Sequence, residues 1–241
     1  MPNVYAIIPA AGLSTRMGST TTGQERKQMA EVGGAPILIH TLRKFAALPE
    51  IERIWVPVRP EDRERVAERV AEEGFRCPVE VLNGGNSRQE SVWNAVQRLE
   101  ALHPGDSALV LVHDAVRPFV TGETIQAAIA AAAQHGAVIV ATPAVDTVKQ
   151  VQRVAGDANC VIATLPRERI VLAQTPQVFR LGLLRQAFAK ARADGFYATD
   201  ESSLIEHFGH DVYVVPGSAR NWKITSPGDL PLAELFLNHS A

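Results

Sequence analysis

Cysteine is nearly absent from this chain: 241 residues hold only Cys77 and Cys160. Two thiols cannot build a disulfide framework or a four-thiolate zinc site, so the fold must rest on its core, and a reducing compartment is the expected setting. Excess charge of either sign is also missing. Lys plus Arg number 24 against 26 Asp plus Glu, a formal net charge of -2. No global positive field therefore draws nucleic acid or an anionic membrane, and any bound anion must be met by a local cluster of cations. The longest apolar runs, 127–133 and 137–145, are parted by Gln134, His135 and Gly136 and fall short of the roughly 18 residues a membrane span needs. The first residues carry no basic segment, and their apolar stretch is cut at Pro9. They read as a first strand rather than a secretory signal, giving the expectation of a cytoplasmic protein without nucleic-acid or membrane partners. Neither G-x-G-x-x-G nor G-x-x-x-x-G-K-[ST] follows that strand, which withdraws support from dehydrogenase and P-loop readings.

What is present is an ordinary globular composition, 46% apolar and 21% charged, on a chain long enough to bury a sizeable core. Short runs rich in Val and Ile, at 4–8, 53–58, 79–82, 108–113 and 137–141, read as strands bounded by Gly, Pro and Asn. Between them 36–47, 61–73, 87–102 and 123–135 read as helices. In the third, Val92, Ala95, Val96, Leu99 and Leu102 fall on one face. Alternating strands and helices predict a doubly wound α/β fold with ligands at the carboxyl ends of a mostly parallel sheet. The pattern breaks after Pro143. Segments 145–154 and 160–164, joined by turn residues 155–159, read as a β-hairpin. An isolated ribbon is marginal in water, so this arm, at about 145–166, is expected to lie on a partner subunit. Helices at 181–194, 200–208 and 229–237 and a strand at 212–215 complete the reading. With no repeat and no low-complexity linker, 1–241 is read as one domain with a projecting arm.

The loop after the first strand, Pro9-Ala10-Ala11-Gly12-Leu13-Ser14-Thr15-Arg16, leads through a Thr-rich stretch to Arg26 and Lys27. Small residues let backbone N–H groups approach a phosphate, and Arg16 and Lys27 supply counter-charge. A solvated surface loop accounts equally well for the composition. Asp114 emerges at the end of the fourth strand, well placed for Mg²⁺ or a ribose hydroxyl. His113, one residue back, points to the other face and reads as a packed neutral histidine. Gly84-Gly85-Asn86-Ser87-Arg88 opens a helix with Ser87 as its N-cap and Ser91 one turn in, which suits a flat base but also a simple turn. Thr147 and Lys149, Arg167, 174–177 and 221–225 with Lys223 complete the candidates, each basic residue being by base rate a solvated charge.

Taken in order, PAAGLSTRM, the KQ of Lys27 and Gln28, GGNSRQESV, VLVHDAVRP, PAVDTVK, QTPQVF, TDESSLIE and NWKIT closely resemble the 2-C-methyl-D-erythritol 4-phosphate cytidylyltransferase family of the non-mevalonate isoprenoid pathway. The resemblance runs nearly end to end. It implies a Rossmann-like α/β domain whose β-arm clasps a second subunit, hence a homodimer, and an Mg²⁺-dependent transfer of a cytidylyl group from CTP to a polyol phosphate. Carried over by position, it implies catalytic roles for Arg16 and Lys27. It implies CTP contacts at Ala10, Ala11, Gly12, Gly85, Asn86, Ser91 and Asp114, the last also toward the metal. The sugar phosphate falls to Thr147 and Arg167 of the partner's arm and to Lys223. Just before Lys27 the chain departs from many relatives, with Thr20 to Arg26 replacing a shorter, proline-containing loop, and Arg26 is placed to compete for the same phosphate. A ribitol 5-phosphate cytidylyltransferase shares such blocks and stands as the rival, as does a non-catalytic CTP-binding module.

Overall fold

The computed structural model describes residues 2–12, 26–153 and 159–238. In chain order the elements are β1 (Val4–Ile7), β2 (Glu31–Val32), β3 (Ala35–Pro36), α1 (Ile37–Ala46), β4 (Ile51–Val58), α2 (Arg63–Ala71), β5 (Val79–Asn83), α3 (Arg88–Glu100) and β6 (Leu109–Val112). They continue as α4 (Gly122–His135), β7 (Ala137–Pro143), β8 (Val148–Arg153), β9 (Asn159–Leu165), β10 (Val171–Arg180), α5 (Leu181–Asp194), α6 (Glu201–Phe208), β11 (Tyr213–Pro216) and α7 (Asp229–Asn238). Seven strands form the main sheet in the order β11-β7-β10-β6-β1-β4-β5. Its pairs are parallel except where β10 runs antiparallel between β6 and β7.

The two faces of this sheet are sorted by the two-residue period of a strand. In β1 and β6, Ala6, Leu109 and Leu111 join Leu38, Leu42 and Phe45 of α1 and Ile125 and Ala128 of α4 in one core. Tyr5, Ile7, Val110 and Val112 face the opposite way, onto Val92, Val96 and Leu99 of α3, Leu184 and Phe188 of α5 and Leu204 of α6. Strands apolar on both faces are what a sheet with helices on each side requires. The expected apolar face of α3 is the one buried, except for Leu102, which lies beyond its end and is exposed. Ser87 caps α3 by accepting from the Glu90 N–H at 3.0 Å, and Glu90 returns a carboxylate oxygen to the Asn86 N–H at 2.7 Å, satisfying two donors that open the helix.

The α/β architecture and the hairpin match the sequence reading; two elements do not. Strand β10 was not expected, because QTPQVF carries Pro176 in its interior. The ladder tolerates it because the pairing with β7 shifts register between Ala173 and Gln177, and the proline sits inside that interruption. The small β2–β3 hairpin, turning on Gly33 and Gly34 at positive φ, was also missed, being too short for a periodic signal. Strands β8 and β9 pair antiparallel as their own two-stranded sheet; the turn expected at 155–159 falls almost wholly outside the described residues.

Candidate active site

Strand β1 lies between β4 and β6. The chain leaves it through β4 and β5 on one side and returns as β6 on the other. Such a reversal parts the loops and opens a crevice beyond the carboxyl ends of the strands. A cleft of about 710 Å³ occupies that place. It is lined by the turn after β1, Arg59 after β4, the Gly84–Ser87 turn after β5, Asp114 after β6, and Lys223. Of the residues singled out from sequence, Ala10, Ala11, Gly12, Lys27, Gly85, Asn86, Ser91, Asp114 and Lys223 all line it. Arg16 lies outside the described residues. Thr147 and Arg167 do not line it; both are exposed, with the Arg167 guanidinium donating to the Val145 carbonyl at 2.8 Å.

The cleft floor is held by Gln28, which the sequence reading left without a role, and by Ser91. Gln28, buried beneath the loop, donates to the Ala10 carbonyl at 2.5 Å and so fixes the first turn. Ser91 accepts from the Gly85 N–H at 3.0 Å and donates to the Ser87 carbonyl at 2.8 Å, tying the turn after β5 to the first turn of α3. A Cβ on Gly84 would stand 2.8 Å from that of Ala11 and 2.9 Å from the Ser91 hydroxyl. Only glycine lets the β1 and β5 turns approach this closely.

Asp114 sits among three cations. Its Oδ2 is 2.8 Å from Lys223 Nζ and 3.6 Å from Arg117 Nε, and its Oδ1 is 3.4 Å from Arg88 Nε. Burial opposes its ionisation, but the charges of Arg88, Lys223 and Arg117 prevail and hold the carboxyl below the ordinary range. Burial likewise opposes the charge on Arg88, and the Glu201 and Asp114 carboxylates more than restore it. Glu201 is 1% exposed and accepts from Arg88 Nη1 at 2.7 and 2.8 Å. Both Arg88 and Glu201 lie within quoted sequence blocks, yet their pairing across 113 positions leaves no local trace.

His113 is a packed histidine, as expected. Fully buried against Phe45, its Nε2 lies 3.0 Å from the Arg117 carbonyl and its Nδ1 3.0 Å from the Thr175 hydroxyl. Burial pushes its pKa down to about 4. The neutral ring satisfies every group when Nε2–H donates to Arg117 and Thr175 O–H donates to Nδ1. The same hydroxyl oxygen accepts from the Asp114 N–H at 3.1 Å, so the core histidine steadies the loop that carries Asp114. Arg26 corrects the sequence reading. Its guanidinium is 2.7 Å from Glu61 and 2.8 Å from Asp62, so it is held by two carboxylates of the chain itself rather than standing open toward a phosphate. Glu61 is in turn held down to about 2 by its own N–H and by Arg26.

Lys223 is positioned from both sides. The Ile224 N–H donates to the Val116 carbonyl at 3.0 Å. Buried Asn221 donates to the Thr175 carbonyl at 2.8 Å and accepts on its own carbonyl from Arg117 at 2.7 Å. Neither Asn221 nor Arg117 had a role in the sequence reading, although each lies in a quoted block.

Comparison with known proteins agrees with this geometry. The chain is 55% identical over 241 residues to the 2-C-methyl-D-erythritol 4-phosphate cytidylyltransferase of Solibacter usitatus, covering 99% of this chain and 97% of that one. It is 53% identical over 235 residues to the enzyme of the same name from Acidobacterium capsulatum, covering 97% of each. The solved structure of the Francisella tularensis enzyme superposes with a TM-score of 0.79 at 34% identity, covering 97% of this chain and 99% of that one. The sequence pattern of IspD, 2-C-methyl-D-erythritol 4-phosphate cytidylyltransferase, matches residues 4–239, and with that match and relatives at 53–55% identity over nearly the whole chain, the chain belongs to that family.

Proposed function

We propose a division of labour for the cytidylyl transfer this chain carries out: its own switch-point cleft holds CTP, and the arm of a second copy brings anchors for the acceptor phosphate. The chain transfers the cytidylyl group of CTP to 2-C-methyl-D-erythritol 4-phosphate, releasing pyrophosphate and forming 4-diphosphocytidyl-2-C-methyl-D-erythritol. A phosphate monoester, with a second pKa of about 6, is already largely dianionic at neutral pH. Its oxygen attacks the α-phosphorus directly and needs no general base. The cleft fits this: His113, the residue before Asp114, is buried, neutral and committed to the core. The difficulty is instead the repulsion of two anionic reactants and the charge gathering on the equatorial oxygens, which positioned cations relieve.

In this reading Lys27 and Arg16 face the CTP phosphates and carry the transition-state charge. Backbone groups at Ala10, Ala11, Gly12, Gly85 and Asn86 and the Ser91 hydroxyl hold the nucleoside. Lys223, 40% exposed at the cleft mouth, takes the acceptor phosphate together with Thr147 and Arg167 of the partner's arm. Among the described residues no three of His, Cys, Asp and Glu gather as a metal cage. A lone carboxylate does fit Mg²⁺, which keeps water and substrate phosphates as most of its ligands. Asp114 would join it, and the ion would supply further charge neutralisation on the CTP phosphates. The protein is proposed to work as a cytoplasmic homodimer; among the described residues no helix is long and apolar enough to cross a membrane.

The observation that carries this reading is the convergence of Lys27, Asp114 and Lys223 with the glycine turns in one cleft. Pyrophosphate release from CTP and Mg²⁺ with a panel of polyol phosphates tests it. The expected result is the highest kcat/KM with methylerythritol phosphate and loss of turnover on chelation of the metal. A higher value for ribitol 5-phosphate would overturn the acceptor while sparing the chemistry.

A further inference from the structure

One ion pair takes no part in the reaction as described: it joins Arg88, which lines the cleft and is 29% exposed, to the buried Glu201 behind it. Glu201 opens α6 and does not line the cleft, yet both of its carboxylate oxygens accept from Arg88 Nη1, at 2.7 and 2.8 Å. Arg88 also lies 3.4 Å from Asp114 Oδ1, while Asp114 Oδ2 meets Lys223 at 2.8 Å. The third cation, Arg117, is anchored separately, its Nη1 on the Asn221 carbonyl at 2.7 Å. Two carboxylates thus serve three cations, and the shortest contacts divide them: Glu201 with Arg88, Asp114 with Lys223.

We propose that Glu201 is a positioning residue for Lys223: by engaging Arg88 it leaves Asp114 to aim the Lys223 ammonium at the acceptor phosphate. The inference rests on the acceptor-phosphate role given to Lys223 above. A half-buried guanidinium that loses its carboxylate is left without its counter-charge and turns to the next carboxylate within reach. For Arg88 that is Asp114, already 3.4 Å away, and a planar fork engages both oxygens of a carboxylate at once. Asp114 is then withdrawn from Lys223, whose exposed side chain is free to leave the productive position. Glu201 acts from outside the cleft, through Arg88 and Asp114 in turn.

The test is a steady-state comparison of full-length wild type, Glu201→Gln, Arg88→Gln and the double variant, with CTP, Mg²⁺ and methylerythritol phosphate. Glu201→Gln is expected to raise the KM for the acceptor by about tenfold or more, with the KM for CTP changed no more than about twofold. The double variant, which removes the stranded cation along with its partner, is expected to return the acceptor KM to within about threefold of wild type. A merely structural pair predicts the opposite, a double variant no better than Glu201→Gln, and that result would overturn the proposal; so would an equal rise in both KM values. If Glu201→Gln does not fold, as judged by its thermal melt, the double variant decides alone by the same criterion. Lys223→Ala separates the two layers: an unchanged acceptor KM there removes the acceptor role itself, whereas a raised one beside an unaffected Glu201→Gln removes only the positioning.

Discussion

Around the cleft Ser91, His113 and Glu201 are almost wholly buried, each with polar partners on the chain itself, whereas on the arm β8 and β9 expose nearly every residue, Val151, Val161 and Ile162 among them. The first residues of β10, Val171 and Leu172, are exposed beside them. A single chain therefore builds the cleft from its own core and leaves the arm as a ribbon with apolar groups exposed, the condition in which a two-stranded sheet needs another surface. The proposed function assigns the groups aimed at the transition state to the cleft, and two of the acceptor-phosphate anchors to the arm that a second copy would bring.

The sharpest way to break this contrast is at the cleft. Lys27→Ala is expected to lower kcat by about 100-fold or more, because it removes a charge aimed at the transition state. Its thermal midpoint should stay near that of wild type. Near-normal turnover would remove Lys27 from the chemistry, and a collapsed midpoint would show that it serves the fold instead.

The pH dependence of stability probes the buried surroundings of the cleft. The folded pKa of His113, about 4, lies below the unfolded value of about 6.5, so the unfolded chain takes up the proton first as pH falls. Its contribution is complete above pH 6.5 and is lost progressively toward pH 4, reaching about 2 kcal/mol by pH 5. Urea unfolding of wild type and His113→Gln at pH 7 and 5 isolates it, because His40, whose pKa burial also lowers, titrates in both proteins. Equal losses in the two proteins would mean that His113 is protonated without penalty.

On the arm the expected effect on the fold is the smallest. Ile162→Ser is expected to change the stability of the isolated chain by no more than about 0.5 kcal/mol, while weakening any dimer seen by sedimentation. A larger loss, independent of protein concentration, would show that the arm packs on its own subunit.

Much of this arrangement was legible in the sequence because it is local. The i, i+3, i+4, i+7 spacing of Val92, Ala95, Val96 and Leu99 marks the buried face of α3, and Ser87 followed by Glu90 marks its start. The cleft turns were legible because glycine and small residues follow β1 and β5. What escaped depends on partners distant in the chain. Pro176 disguised β10, since only the shifted register with β7 reveals why a proline is tolerated there. Arg26 resembled a phosphate ligand until Glu61 and Asp62, some thirty-five positions on, were seen to hold it. Glu201 gave no sign of a role, its partner Arg88 being 113 residues away.

Subunit mixing tests most directly whether the site is shared between copies. Lys27→Ala and Arg167→Ala are each expected to be nearly inactive alone, one lacking a cleft cation and the other an arm anchor. After verified exchange of subunits, half of the dimers are hybrids, each with one intact composite site, so about a quarter of wild-type activity should return. Activity that stays at the mean of the two parents despite complete exchange would contradict a shared site and place Arg167 in the service of its own chain.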